Sequence, residues 1–189
     1  MSTMNSAATA RSTVDALAAT NGKAELVRGR IVALKPTGLR PNLVAGRIYR
    51  GLADHVDTTG RGLAFTDNMG FVVPELTSGR ESFSPDVAYY DGEYSVEDMR
   101  FIQGAPTFAV EVRSEHDQGL GAERALAAER ADYFEAGTLV VWDVDPVDLS
   151  IRAYQADDPE SPRTFRSGDI ADAEPAVSGW RISVDRIAP

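Results

Sequence analysis

With 189 residues, 43% of them hydrophobic and 25% charged, the chain is long enough for one globular domain with a sizeable core. It has no cysteine, which excludes disulfides, thiolate metal sites and cysteine nucleophiles, and its two histidines, His55 and His116, are too few for a histidine-rich zinc site, so any metal needs oxygen ligands. A formal net charge of −10 counts against a constitutive, high-affinity nucleic-acid binder, because such proteins gain affinity by neutralising phosphates, although a bound metal would supply positive charge locally.

Residues 1–22 are rich in Ala, Ser and Thr and lack the apolar core of a signal peptide. No later apolar run reaches the roughly 20 residues that span a bilayer, so a cytoplasmic protein without a membrane segment is expected. Ser12 or Thr13 is placed to cap a short helix through Ala18. Residues 1–21 are read as an N-terminal helical extension and residues 22–189 as a single domain. AELVRGRIVALK holds two short apolar runs around Arg28-Gly29, which predicts a β-hairpin. After a turn at Pro36-Thr37-Gly38, Leu43, Ile48, Leu52 and Val56 recur at near-helical spacing and predict a helix from Asn42, its cap, to about Asp57. Short strands are predicted at 62–66, 70–74 and 86–90. TFAVEV reads as a buried strand and LGAERALAAERADYFEA as a helix that Gly137 terminates. TLVVWDVD predicts another buried strand, with further short strands at 149–154, 163–166 and 181–184. This order predicts an α/β or α+β fold, a mixed sheet flanked by helices.

Three segments carry acids where a core is expected. In Thr107–Arg113 alternation puts Ala109, Glu111 and Arg113 on one side of the strand and Phe108, Val110 and Val112 on the other. A charged pair inside an apolar strand needs partners; the readings are a structural Glu–Arg pair at a sheet edge or a site. Asp86 begins the strand after Pro85 and, although Pro-Asp alone is a turn signal, a carboxylate there can share a divalent ion with Glu111 on a neighbouring strand. On the long helix Ala122, Ala125, Leu126, Tyr133 and Ala136 form an apolar stripe with Glu129 near its middle, Arg130 at its margin and Arg124 and Glu135 opposite. An inward Glu129 is either half of a buried ion pair, with Arg113 as its expected partner, or part of a catalytic site. Glu25 at the start of the hairpin, which by local pattern reads as an ordinary strand-end acid, completes the candidates, and His116 in the polar loop SEHDQG reads as solvated.

Taken in order, GKAELVRGRIVAL, PTG, FSPDVAYY, PTFAVEVRS and RADYFEAGTLVVWDVDP resemble the Uma two family of restriction endonucleases, within the PD-(D/E)XK nuclease superfamily, over about residues 22–185. The resemblance implies a restriction-endonuclease-like mixed sheet flanked by helices with an N-terminal β-hairpin. It also implies a phosphodiesterase site that uses Mg2+ or Mn2+ and acts on DNA. By motif match, Asp86 corresponds to the superfamily's metal-binding aspartate and Glu111 to the acid of the (D/E)XK element. Glu25 matches the acidic hairpin position, and it and the Val112 carbonyl are the further metal ligands that the resemblance implies. The chain departs from the pattern at its lysines. Arg113 stands two residues after the acid, and Glu129 stands where many relatives carry a helical lysine four residues before the tyrosine matching Tyr133. In the loop after PTG, where relatives often hold a histidine, the chain reads Leu39-Arg40-Pro41-Asn42. Arginine neutralises phosphate but stays protonated and is a poor general base; Lys23 and Lys35, the chain's two lysines, match no catalytic position of the family.

Three functions follow. One is a metal-dependent DNA endonuclease with Asp86, Glu111, Arg113 and Glu129 as its catalytic residues, expected as a homodimer because cutting both strands is simplest with two sites. Another is a catalytically degenerate relative that keeps the fold as a binding or assembly module. The third is a hydrolase of a small phosphoester. A basic rim around Asp86 drawn from Arg40, Arg47, Arg50, Arg80 or Arg113 is the feature expected of the first.

Overall fold

The computed structural model describes residues 13–115, 117 and 119–189; Ser12 and His116 lie outside the described residues. Residues 13–18 are helical. The hairpin forms as β1 (Ala24–Val27) and β2 (Arg30–Ala33), with Val27 paired to Arg30 across a two-residue loop. Both loop residues are left-handed, Arg28 at φ 53° and Gly29 at φ 64°. That conformation matches the twist of the flanking strands.

Helix α1 (Leu39–Thr59) starts three residues earlier than its apolar spacing indicates. Pro41 falls in the first turn, where its missing N–H would have no helical partner anyway, and Asn42 donates its N–H to Gly38 O at 3.1 Å. Asn42 is thus inside the helix, and Gly38 is the cap. At the other end Gly60 adopts φ 66° and its N–H closes on Val56 O.

The chain continues through β3 (Leu63–Thr66), β4 (Phe71–Val72), β5 (Ser82–Phe83), β6 (Val87–Tyr90), β7 (Ile102–Gln103) and β8 (Phe108–Val112). Then follow α2 (Gly119–Ala136), β9 (Val140–Asp145), β10 (Ser150–Gln155), β11 (Asp158–Phe165), β12 (Ile170–Asp172), β13 (Arg181–Ser183) and α3 (Val184–Ile187). Of the strand expected at 70–74, Phe71–Val72 forms as β4, while β5, β7 and β12 carry too little apolar pattern to be visible in the sequence. The central sheet has the order β11-β10-β9-β8-β6-β3. Its neighbours are antiparallel except β8 and β9, which α2 connects as a crossover.

Strand alternation divides the core. Val87, Tyr89, Phe108, Val110, Trp142 and Val144 face α1 and pack with Trp180 of the C-terminal segment. Phe108 meets Trp142 edge-on at 5.1 Å, and Trp142 stacks on Trp180 at 5.3 Å. Ala88, Tyr90, Ala109 and Val141 face the other way, toward Phe71, Phe83 and Tyr133 of α2. Phe83 and Tyr133 stack at 4.2 Å. Small residues on this second face leave room for the polar groups described next.

Candidate active site

Asp86 extends the β6–β8 ladder by one residue: its N–H bonds Val110 O at 3.1 Å. Since Val87 pairs with Val110, Asp86 stands opposite Glu111, and both belong to the face of Ala88 and Ala109. The Asp86 carboxylate is fixed from two sides. Oδ2 accepts the Val112 N–H at 2.9 Å, and Oδ1 lies 3.4 Å from Lys23 Nζ. Lys23 immediately precedes β1 and also holds Asp67 at 2.5 Å. Burial raises the Asp86 carboxyl above its usual range against the pull of Lys23. Burial would lower the Lys23 ammonium, but Asp86, Asp67 and Glu111 outweigh it and its pKa rises.

Glu111 accepts the Tyr133 hydroxyl at 2.6 Å. Its burial, then the charges of Glu129 and Asp86, push it well above the ordinary carboxylate range. Glu129 comes from α2 beside it and is pushed up to about 7 by burial and by Glu25. Arg80, between β4 and β5, ties this side together. Its guanidinium bonds Glu25, meets Asp132 at 3.0 Å and Glu129 at 3.3 Å, and lies over the Phe83 ring. Glu25 also accepts the Ser84 N–H at 2.9 Å, which docks the hairpin two residues from Asp86.

The tertiary structure thus brings Glu25, Asp86, Glu111 and Glu129 to one face of the sheet. Arg113 is committed elsewhere. Its Nε and Nη2 each lie 2.6 Å from an oxygen of the Asp143 carboxylate, and Nη1 bonds Glu123. The expected Glu129–Arg113 pair is therefore overturned: Glu129 pairs with Arg80. The parallel register explains why, because it sets Asp143 beside Glu111 on the next strand, within reach of the planar guanidinium fork. Helix geometry agrees. Glu123 and Arg130, seven residues apart, serve Arg113 and Asp143, while Glu129, Asp132 and Tyr133 share another side of α2. Nor is there a basic rim at Asp86 from Arg47 and Arg50, which line a cleft on α1.

Sequence reasoning missed Lys23, Asp67 and Asp132, and gave Arg80 no acidic partners. For Lys23 a signal existed: it is two residues before Glu25 and so shares its strand side. Arg80 and Asp67 arrive from short segments with no periodic pattern.

Asp86 and Glu111 are cross-strand neighbours on one face of the sheet, and carboxylate oxygens are the donor chemistry of a hard divalent cation. Among the described residues no three His, Cys, Asp or Glu side chains gather to hold an ion. An ion here would rest on two carboxylates and fill its shell with water and main-chain oxygen, a set that suits Mg2+.

The chain matches the family described as "Putative restriction endonuclease" (Uma2) over residues 12–185. Among solved structures it is similar to a chain described as a putative nuclease belonging to DUF820 from Anabaena variabilis ATCC 29413. The TM-score is 0.72 at 16% identity, over 92% of this chain and 96% of that one. At that identity the likeness is one of fold. No curated protein matches. With nearly the whole length inside the family's match, the chain belongs to the Uma2 family of putative restriction endonucleases.

Proposed function

We propose that the protein is a metal-dependent DNA endonuclease of the PD-(D/E)XK type, with its reacting centre at Asp86 and Glu111. The observation that carries this reading is the cross-strand placement of the two carboxylates on one face, with Asp86 held by the Val112 N–H and the Lys23 ammonium alongside. Family membership supplies the reaction class. Asp86, Glu111 and the Val112 carbonyl would hold Mg2+ or Mn2+, which supplies Lewis acidity at the phosphate.

The chain's own residues do the rest. Tyr133 fixes the Glu111 carboxylate by its 2.6 Å hydrogen bond. Lys23 places an ammonium where a non-bridging phosphate oxygen would approach Asp86, the task that Arg113, bound to Asp143 and Glu123, is not free to perform. Lys23 thereby stands in for the helical lysine whose position Glu129 occupies. Glu25 and Arg80 hold the hairpin so that Lys23 reaches the site, and Glu129 adds a carboxylate at its border. Cleavage of both strands of a duplex calls for two such sites, hence a homodimer. The replacement of the helical lysine by Glu129 favours a second reading, a nuclease fold retained for binding alone.

Incubation of the purified chain with plasmid DNA and Mg2+ or Mn2+ decides between the two readings. Cleavage should appear with metal, fall at least 100-fold in Asp86→Ala and Glu111→Ala, and fall at least tenfold in Lys23→Met. Absence of metal-dependent cleavage, or cleavage that survives Asp86→Ala, rejects the nuclease reading.

A further inference from the structure

On the opposite side of the sheet from Asp86 and Glu111, α1 and the C-terminal segment enclose a cleft of about 590 Å³. Arg47 and Arg50 project from the α1 wall and Arg181 and Arg186 from the other, with Asp54 as the one acid and His55 beside it. Among the described residues none of these four guanidiniums is ion-paired, in contrast to Arg80, Arg113, Arg130, Arg152 and Arg163, which all hold carboxylates. Asp185, next to Arg186, is turned aside: its carboxylate accepts the Ser167 hydroxyl and the Gly168 N–H.

The cleft is built by close packing. Gly51 lies inside α1, where glycine disfavours the helix. A Cβ there would stand 3.1 Å from the Ile182 side chain. Its absence lets β13 approach the helix, and Trp180 locks the approach by donating its indole N–H to Gly51 O at 3.0 Å. The walls that carry the four arginines are thereby held facing each other.

In a chain of net charge −10, four unpaired cations facing across one concavity are not background. They repel one another, and a multiply charged anion relieves that repulsion. The guanidinium fork suits phosphate oxygens bidentately, and a cleft of this size holds more than one phosphate group. We propose that this cleft is a binding site for a ligand carrying several phosphates, separate from the acidic site and independent of any nuclease activity. Consecutive phosphates occur both in a nucleoside triphosphate and in a nucleic-acid backbone, and the experiment separates these sources.

Binding to the full-length chain is measured by calorimetry in EDTA, so that divalent ions play no part, with inorganic phosphate, ATP and a 12-nucleotide single-stranded DNA as probes. Saturable binding of ATP or the oligonucleotide is expected, at least tenfold tighter than inorganic phosphate. It should weaken at least tenfold in the double variant Arg50→Glu/Arg181→Glu and remain unchanged in Arg30→Glu, an exposed arginine on the hairpin. Tighter binding of ATP identifies a nucleotide site; tighter binding of the oligonucleotide, with steep salt dependence, identifies a backbone site. Arg47→Gln/Arg186→Gln, milder in charge, serves if the first variant does not fold. Failure of both ATP and DNA to bind overturns the proposal, as does an equal loss in Arg30→Glu.

Discussion

Glu129 shows how one side chain can be held in place and still be electrostatically unfavourable. Arg80 pairs with it, yet burial and Glu25 outweigh that pairing and lift its pKa from 4.5 to about 7. The folded state therefore binds a proton that the unfolded state has released between those values. The associated stability is fully present below about pH 4.5 and is lost as pH rises through 7. At about 1.4 kcal/mol per pH unit, this group removes about 3–4 kcal/mol across the window. Glu129→Gln abolishes the titration, so the variant should be more stable than the wild type at pH 8 by about 1–3 kcal/mol and nearly equal at pH 4.5. Urea unfolding at the two pH values measures this. An equal effect at both would show that Glu129 does not titrate in that range.

At the scale of elements, the parallel pair β8–β9 and the crossover helix α2 are joined by charge as well as by apolar contact. Arg113 from the end of β8 and Asp143 from β9 are 4% and 2% exposed at the side chain, and Glu123 of α2 completes the arrangement. Removing one partner of a buried pair strands the other. Arg113→Met should destabilise the protein by about 3 kcal/mol, because Asp143 would keep only Arg130, at 3.5 Å. Arg113→Met/Asp143→Leu, which removes both charges, should recover much of that loss. If the double variant is as unstable as the single one, packing rather than charge explains the effect. Arg113 thus positions the elements around the acidic site without touching it.

For the whole molecule, the excess of negative charge is organised rather than uniform. One side of the central sheet gathers Glu25, Asp86, Glu111 and Glu129 with two cations among them; the other gathers four unpaired arginines. A divalent ion bound only by the folded chain raises stability by mass action. Mg2+ or Mn2+ at 5–10 mM should therefore raise Tm by several degrees, in keeping with a gain of about 1–3 kcal/mol. Glu111→Ala should abolish the rise, which differential scanning calorimetry reads directly; an unchanged rise in the variant would put the ion elsewhere.

Periodic segments were legible in the sequence because their pattern is local. The hairpin around Arg28-Gly29, the buried strands β8 and β9 and the helix closed by Gly137 all follow from alternation, 3.6-residue spacing and turn chemistry. The same local logic singled out Glu111 and Glu129 as acids where apolar residues belong and drew Asp86 in through its pairing with Glu111, whereas Glu25 entered through the family resemblance. Their partners were another matter, because ion pairing depends on register and on segments distant in the chain. Only the parallel register of β8 and β9 gave Arg113 to Asp143. Only the packing of the hairpin and of α2 against the segment around Arg80 brought Lys23 to Asp86 and Arg80 to Glu129, across 63 and 49 positions of the sequence. The sequence by itself determined which elements form and which residues are chemically out of place in them; the tertiary structure decided which charges meet, since no local pattern carries that information.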